Sequence, residues 1–371
     1  MFNLELSVTE KCNLGCPYCY VANKSSFMTE KVFDNVYNKL TDLMDRSGET
    51  QFHVSFFGGE PLLNWDLIKY ATPILNADPR CHSLVLISNM TMIDEEKSSY
   101  LKDNNIGVSW SFDGMGSNES RPLLPMLENK DKDNKLYNGI LDMYEDKKDI
   151  ILSHTTSCKV MIWPGNTTTM TENFDFLIDY GIPNPDFCLV RDNVWSIDDL
   201  KTFYVELQRL ADRYIAISKS GTYCSIGFFN LAIMDSVVGI ISGKRAFGCF
   251  AGCNGAVATS KGDFYPCARF ASKGLNIIDD EYSFSYWAKQ FNPANYNKCD
   301  ECQLKRVCNA GCSFSQLDNG NKPVDSVCEL YHMIYEQALR IVSELKYVPS
   351  FVKMISDQIR DYNASMNECK G

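Results

Sequence analysis

The sequence predicts an α/β protein in which a partial (β/α)6 barrel, with the layout of a TIM barrel, is followed by a small cysteine-rich domain. Three observations support this prediction. Segments with strand character alternate with helical patterns over more than half of the 371 residues, and repeated βα units form parallel sheets. The regular helical periodicity ends near residue 220. Beyond it, eight cysteines lie within 80 residues, which is typical of a small domain held by metal.

Six strand candidates are short apolar or alternating runs. They are residues 3–8, 51–57, 83–88, 107–112, 150–160 and 186–191. Segments with helical periodicity lie between and after them. The predicted helices are residues 29–45, 67–75, 95–102, 136–144, 171–180 and 197–218, with closing helices at 330–345 and 349–362. In such a barrel the functional loops follow the carboxyl ends of the strands.

Composition and charge exclude several classes of protein. Hydrophobic residues make up 45% and charged residues 22% of the chain, which excludes disorder. The 36 basic and 47 acidic residues give a net charge of -11, and no basic stripe predicts nucleic-acid binding. No apolar run approaches the ~18 residues of a membrane span, and the N-terminus lacks a signal peptide. We therefore expect a cytoplasmic protein, in a reducing compartment where clustered thiols often bind metal.

A first cysteine cluster directly follows the first predicted strand. Cys12, Cys16 and Cys19 have C-x3-C-x2-C spacing on one short loop. Three thiolates from such a loop can bind three irons of a cubane cluster and leave the fourth iron without a protein ligand. A structural zinc site needs a fourth Cys or His, and the nearest candidate, His53, lies more than thirty residues away. The spacing therefore favours an iron–sulfur cluster.

This loop resembles that of the radical S-adenosylmethionine (SAM) superfamily. In that family the same spacing follows the first barrel strand, often with an aromatic residue before the last cysteine, here Tyr18. After the second strand, Gly58, Gly59, Glu60 and Pro61 resemble the family's GGEP motif. The resemblance implies that backbone and glutamate contacts of this motif hold the methionine amino group of SAM. Glycines suit such a site because they allow close backbone approach.

Polar residues at the ends of the third and fourth strands extend the resemblance: Ser88, Asn89, Ser109, Ser111 and Asp113. Relatives commonly have Thr-Asn-Gly near the SAM ribose, and Met90 departs from that pattern. Arg121 has the spacing of an arginine that meets the SAM carboxylate in relatives. Two other interpretations stay open. Arg121 would be a solvated loop residue, and Asp113 would cap a turn before Gly114.

The second cysteine cluster contains a C-x2-C-x5-C-x3-C run from Cys299 to Cys312 and a Gly-x4-Cys hairpin from Gly262 to Cys267. Both motifs resemble the SPASM extension of radical SAM enzymes that modify peptides and proteins. The resemblance implies two auxiliary [4Fe–4S] clusters, and therefore three clusters in all. The implied ligands are Cys249, Cys253, Cys267 and Cys312 for cluster I, and Cys299, Cys302, Cys308 and Cys328 for cluster II. Two four-cysteine zinc ribbons are the alternative.

These motifs and the change in periodicity predict four parts of the chain. Residues 1–225 would form the radical SAM partial barrel, and residues 226–248 a bridging helical segment. Residues 249–345 would form the SPASM domain, and residues 346–371 a C-terminal helix and tail.

The resemblance implies a radical reaction on a peptide or protein substrate. An external one-electron donor of the flavodoxin or ferredoxin type would reduce the cluster, and SAM would be cleaved to a 5'-deoxyadenosyl radical. This radical would abstract hydrogen from the substrate, while the protein supplies binding and orientation. We predict a thioether or carbon–carbon crosslink in a ribosomally synthesised peptide. The reason is Ala268, which follows the hairpin cysteine where sulfatase maturases have a proton-accepting Asp.

Two alternatives to crosslinking stay open. The set of auxiliary cysteines resembles that of anaerobic sulfatase-maturating enzymes, which form formylglycine. A metal-stabilised binding module is the non-enzymatic alternative, and it predicts damage to a first loop that is intact here. Since the first strand begins near residue 3, we expect another surface or a separate protein to recognise a leader peptide.

Overall fold

The computed structural model describes residues 1–21, 25–124, 137–182, 184–192, 194–222, 225–242, 251–290, 296–308 and 311–366. The chain forms two compact units. The first comprises residues 1–158 and 250–288, and the second comprises residues 159–249 and 289–371. The predicted domain limits follow motifs and composition rather than packing, and they stay a prediction.

Strands and helices alternate through the first two-thirds of the chain. The strands are β1 Phe2–Thr9, β2 Phe52–Gly58, β3 Cys81–Ser88, β4 Ile106–Ser111, β5 Thr155–Ile162, β6 Pro185–Leu189, β7 Gly255–Ala258 and β8 Phe264–Tyr265. The helices are α1 Glu30–Ser47, α2 Trp65–Ala77, α3 Glu95–Asp103, α4 Ser117–Ser120, α5 Ile140–Asp146, α6 Lys148–His154, α7 Met170–Tyr180, α8 Ile197–Lys219, α9 Gly227–Ser242, α10 Ala268–Lys273, α11 Phe284–Gln290, α12 Asn297–Asp300, α13 Ser313–Asp318, α14 Asp325–Leu345 and α15 Pro349–Met366. The predicted α/β fold of the partial-barrel type is confirmed.

The first unit is built on a sheet in which neighbouring strands follow the order β4-β3-β2-β1-β7-β8. β1 pairs in parallel with β2 from Phe2↔Phe52 onward, and its other edge pairs with β7. Since β1 to β4 are parallel, their carboxyl ends lie along one edge of the sheet. The loops after β1 and β2 carry the first cysteines and the GGEP motif, so this register brings the two motifs together.

Local signals explain where α1 begins and ends. The Thr29 side chain accepts a hydrogen bond from the Val32 amide, and Gly48 ends the helix in the left-handed conformation with φ 74°. The apolar face of α1 is buried at Val36, Leu40 and Leu43, whereas Val32 is half-buried. Because α1 follows the cysteine loop, this packing fixes the position at which the loop ends.

One predicted strand is wrong in its first part. Residues 150–160 were expected to be extended, whereas α6 covers Lys148–His154 and β5 begins at Thr155. The Thr155 amide still donates to the Ile151 carbonyl, as in a helix. The His154 ring also lies 2.7 Å from the Ser98 hydroxyl. A short apolar run fits a buried helical turn as well as a strand, and here tertiary packing selects the helix.

The second unit contains β6 and the helices that follow it. α14 packs against α8 and α9, with Leu210 of α8 and Ile334 of α14 buried. Tyr335 of α14 donates a hydrogen bond of 2.7 Å to the buried Asp235 carboxylate of α9. The predicted helix at 330–345 is confirmed and begins earlier, at Asp325. Among the described helices, none combines the length and apolar character needed to cross a membrane.

Candidate functional site

The loop between β1 and α1 gathers the three predicted cluster cysteines in one partly buried place. Burial raises the pKa of the Cys12 thiol to about 12 and that of Cys16 to about 11. Burial also raises the pKa of Cys19, and the charge of Cys19 raises the pKa of the other two thiols further. Thiolates that raise one another's pKa in this way are stabilised by positive charge, which iron would supply.

The GGEP motif holds one side of the cysteine loop through the backbone. The Gly59 amide donates to the Thr9 carbonyl at 2.8 Å, and the Glu60 amide donates to the Lys11 carbonyl at 2.9 Å. A Cβ atom at Gly58 would overlap the Thr9 carbonyl oxygen, and one at Gly59 would overlap that of Lys11. The two glycines therefore allow the backbone of the GGEP motif to lie directly against the backbone at the start of the cysteine loop.

We expect Gly58→Ala to disorder this loop. Gly58 has φ 138°, which strains any residue with a Cβ atom, and the overlap with Thr9 adds to that strain. The expected loss of stability is at least about 2 kcal/mol. Gly116→Ala is the matched control, since a Cβ atom there meets nothing within 4 Å. Hydrogen exchange of the amides of residues 9–21 measures the effect, and equal protection in both variants would contradict it.

The other side of the cysteine loop is held by the segment that follows α4. The Gly15 amide donates to the Pro122 carbonyl at 2.8 Å, and the Leu124 amide donates to the Asn13 carbonyl at 2.9 Å. The loop is thus fixed from two directions by backbone hydrogen bonds within the first unit.

Glu60 connects the ends of β2 and β3. Its fully buried carboxylate accepts hydrogen bonds from the Leu62 amide at 3.0 Å, the Ser88 hydroxyl at 2.7 Å and the Asn89 amide at 2.8 Å. Burial raises the pKa of Glu60 to about 7, although these three donors favour the charged form. Both carboxylate oxygens are therefore bonded within the chain, and any contact with the SAM amino group has to share them.

Glu60 makes the stability of the first unit depend on pH. Because the pKa of Glu60 is higher in the folded chain than its ordinary value of 4.5, the folded state binds the proton more tightly. This contribution is present below pH 4.5 and is lost as the pH rises through about 7, a change of about 3 kcal/mol. Urea unfolding at pH 5 and pH 8 should show the decline, and Glu60→Gln should flatten it. If Glu60→Gln lost as much stability between pH 5 and pH 8 as the wild type, Glu60 would not be the group responsible.

Asn13 is a site residue that the sequence analysis missed. The Asn89 side chain donates to the Asn13 side-chain oxygen at 2.8 Å, and Asn13 donates to the Thr91 hydroxyl at 2.7 Å. Asn89 is buried, and its predicted contact near the SAM ribose stays a prediction. Met90 has φ 59°, a conformation that favours glycine, which explains why relatives place glycine there.

Tyr18, Asp113 and Arg121 form one network, in which Asp113 and Arg121 are buried and Tyr18 is half-buried. The Tyr18 hydroxyl donates to the Asp113 carboxylate, which also pairs with the Arg121 guanidinium at 2.9 Å. Arg121 is 6% exposed and lies over the Tyr18 ring, so it is not a solvated loop residue. Asp113 makes no side-chain cap to the turn at Gly114, so that alternative is wrong as well.

Arg121 keeps one donor for a further partner. Its Nε atom is buried and has no hydrogen-bond partner within the described residues. Its positive charge lowers the pKa of Cys16, which places the guanidinium beside the cysteine loop. A buried guanidinium donor at this position is suited to a carboxylate.

The two predicted serines of β4 have different surroundings. The Ser109 hydroxyl accepts from Ser157 at 2.9 Å and is buried, whereas Ser111 is half-buried. Their predicted contacts with SAM stay a prediction.

The predicted ligands of auxiliary cluster I belong to both units. Cys253 and Cys267 lie in the first unit, where their charges contribute to a raised pKa of Tyr282 after the larger effect of burial. Cys312 belongs to the second unit, and Cys249 lies outside the described residues. Cluster I therefore stays a prediction.

The predicted ligands of auxiliary cluster II lie together in the second unit. One cavity is lined by all four of them: Cys299, Cys302, Cys308 and Cys328. In the part of the chain that the structure describes, no three His, Cys, Asp or Glu side chains are close enough to hold a single metal ion. The assignment to a four-iron cluster thus depends on the shared cavity and on the spacing.

Ala268 is the first residue of α10, directly after Cys267. It lines a small cavity together with Glu10 and Thr259. Glu10 therefore contributes a carboxyl group to the lining of this cavity, although residue 268 itself has no acidic side chain. The sequence analysis missed Glu10 because its distance to Ala268 along the chain gives no signal of proximity.

A comparison with known families decides what kind of site this is. The Radical SAM superfamily matches residues 6–150, which include the cysteine loop, the GGEP motif and Arg121. Residues 6–150 therefore form a radical SAM domain. Such a domain uses SAM and a [4Fe–4S] cluster, and the residues present fit them. Cys12, Cys16 and Cys19 would bind the cluster, and the buried Nε atom of Arg121 suits the SAM carboxylate.

One relative of this radical SAM chain matches it over nearly its full length. It is the cysteine-type anaerobic sulfatase-maturating enzyme of Clostridium novyi, 25% identical over 372 residues, covering 92% of this chain and 95% of the relative. Two other relatives match only in part. An uncharacterized protein of Methanocaldococcus jannaschii is 36% identical over 122 residues, which are 32% of this chain and 41% of that protein. The radical SAM cyclopropyl synthase TigE of Paramaledivibacter caminithermalis is 28% identical over 125 residues, 30% of this chain and 26% of TigE.

Solved structures show the same fold. The structure of anSMEcpe with bound AdoMet and the Cp18Cys peptide has a TM-score of 0.69 and 19% identity, covering 92% of this radical SAM chain and 98% of that one. Streptococcus suis SuiB bound to the precursor peptide SuiA has a TM-score of 0.54 and 16% identity, covering 88% and 75%.

Proposed function

We propose that this radical SAM enzyme modifies a peptide or protein and forms a thioether or carbon–carbon crosslink. When bound, the cluster and SAM supply the abstraction of a hydrogen atom from the substrate. The residues of the first unit hold and orient these groups. Arg121 donates from Nε to the SAM carboxylate, Asp113 holds the guanidinium in place, and Tyr18 fixes Asp113. The observation that supports this arrangement is the buried Arg121 Nε atom.

Ala268 supports crosslinking over formylglycine formation. Its methyl group cannot accept a proton, and a carboxylate at this position takes the substrate proton in sulfatase maturases. A crosslink removes two hydrogens from the peptide, one as an atom and one as a proton, and releases one electron. We propose that the auxiliary clusters accept this electron, and that an external flavodoxin- or ferredoxin-type protein reduces the SAM cluster.

Formylglycine formation is the second candidate. The observation that favours it is the similarity to the Clostridium novyi maturase over 92% of this chain. Glu10 would then be the nearby carboxylate, since it lines the same cavity as Ala268. For the first candidate, we propose that another surface of this chain or a separate protein recognises a leader peptide.

Mass spectrometry of treated substrates separates the two reactions. The reconstituted enzyme, SAM and a strong reductant would be incubated without oxygen with a cysteine-containing sulfatase peptide and with short peptides encoded near the gene. Crosslinking predicts a product that has lost two hydrogens, and formylglycine formation predicts an aldehyde in place of a thiol. Recovery of the aldehyde alone would overturn the preferred reaction. Absence of 5'-deoxyadenosine would overturn both.

A further inference from the structure

A histidine lies among the predicted ligands of auxiliary cluster II. His332 lines the same cavity as the four cysteines of that cluster. Its Nε2 atom lies 3.5 Å from the sulfur of Cys302, within hydrogen-bond distance for sulfur. The two residues are 30 positions apart in the chain, so tertiary packing brings them together.

Helix α14 directs His332 toward this cavity. Cys328 and His332 lie on α14 four residues apart, and residues at this spacing share one face of a helix. A cluster held by Cys328 therefore has His332 beside it, one turn further along the helix. Leu330 and Ile334 share another face of α14, and their burial fixes the rotation of the helix.

The sulfur of Cys302 also accepts a hydrogen bond from the backbone. The Leu304 amide donates to it at 3.4 Å, in the turn that follows α12. A ligand sulfur carries part of the negative charge of its cluster. Hydrogen bonds to ligand sulfurs stabilise the reduced, more negative state and raise the reduction potential.

We propose that His332 donates from Nε2 to the Cys302 sulfur and raises the reduction potential of auxiliary cluster II. His332 is then a positioning residue: it touches a ligand and not the substrate. In this arrangement Nε2 carries the proton, and the four cysteines remain the iron ligands. The inference rests on the proposed function in one respect, because it needs a four-iron cluster at these cysteines.

Two substitutions separate hydrogen bonding from packing. His332→Leu fills similar space and removes the donor, whereas His332→Gln keeps an N–H group at similar reach. Both would be made in the full chain with Cys12, Cys16 and Cys19 replaced by alanine, so that only auxiliary clusters contribute signals. Iron and sulfide content and redox titration followed by electron paramagnetic resonance would be measured for each.

We expect His332→Leu to lower the midpoint potential of one auxiliary cluster and to leave the other unchanged. The expected change is about tenfold in the equilibrium between reduced and oxidised cluster, which is ~59 mV for a one-electron couple. His332→Gln should restore most of the difference, and both variants should keep their iron. An unchanged potential in His332→Leu, or equal shifts in both variants, would overturn the inference. Loss of iron in both would mean that His332 is needed to retain the cluster, and would also overturn the inference.

Failure of the proposed cluster is distinguishable from failure of this inference. If the parent chain with alanines in the first loop binds no iron, auxiliary cluster II itself is wrong and the inference falls with it. If that chain binds about eight irons and the potential does not respond to His332, only the inference is wrong.

Discussion

Replacing Cys16 by alanine should abolish the cleavage of SAM completely. The three thiols of the first loop are the predicted ligands of one cluster, and two thiols do not hold it. The reconstituted wild-type chain should contain about twelve irons, four for each of three clusters, and Cys16→Ala about eight. The measurements are iron, acid-labile sulfide and 5'-deoxyadenosine after anaerobic reconstitution.

The matched control for this substitution is Cys81→Ala. Cys81 is half-buried at the start of β3 and belongs to no predicted cluster, so it should leave iron content and SAM cleavage unchanged. Release of 5'-deoxyadenosine by Cys16→Ala would show that the loop is not the radical SAM site. About four irons in the wild type would confine iron to one cluster and contradict the auxiliary assignments.

Breaking the buried ion pair of Asp113 and Arg121 should have the second largest effect. Both side chains are buried, at 0% and 7% exposure, so removing one partner leaves a buried group without compensation. We expect Asp113→Asn or Arg121→Met each to lower the free energy of unfolding by about 3–5 kcal/mol. Arg121→Met should also weaken SAM binding, because it removes the Nε donor.

A double-mutant cycle tests this pair. The variant with both substitutions leaves no buried charge, so we expect it to lose less stability than the sum of the two single variants, by about 1–3 kcal/mol. Urea unfolding of the four chains under one set of anaerobic conditions gives the coupling energy. If the losses in the free energy of unfolding of the two single variants simply add in the double variant, the two side chains do not stabilise each other.

The fold was predictable because its signals are local. Each of the strands β1 to β4 reads as a short apolar run, and helices such as α1 have a cap, an apolar stripe and a final glycine. The start of β5 was not predictable in this way. Ile150 and Ile151 suit a strand or a helix, and the choice depends on packing that no nearby residue reveals.

The candidate site was predictable where its residues lie on one loop. The spacing of Cys12, Cys16 and Cys19 needs no knowledge of the fold. The partners of Glu60 and Asn89 depend on which strand ends become neighbours, so their hydrogen bonds appear only in three dimensions. The positive φ angle of Met90 could not be predicted either, because methionine seldom adopts that backbone conformation.

The residues that the sequence analysis missed share one property. Asn13, Glu10 and His332 each act with a partner far away in the chain, such as Thr91 for Asn13. For His332 a signal did exist, because its spacing from Cys328 puts both on one helical face. Reading the helix and the cysteine pattern together would have found it.

Backbone hydrogen bonds on both sides of the cysteine loop affect how the enzyme acquires iron. Backbone bonds from Gly59 and Glu60 on one side, and to Pro122 on the other, order this loop without using a thiol. Binding of the metal then costs little conformational entropy, whereas small domains that fold only around their metal lose that entropy on binding. We therefore expect iron to enter after this loop has folded, and a cluster lost to oxygen to be rebuilt without refolding the chain.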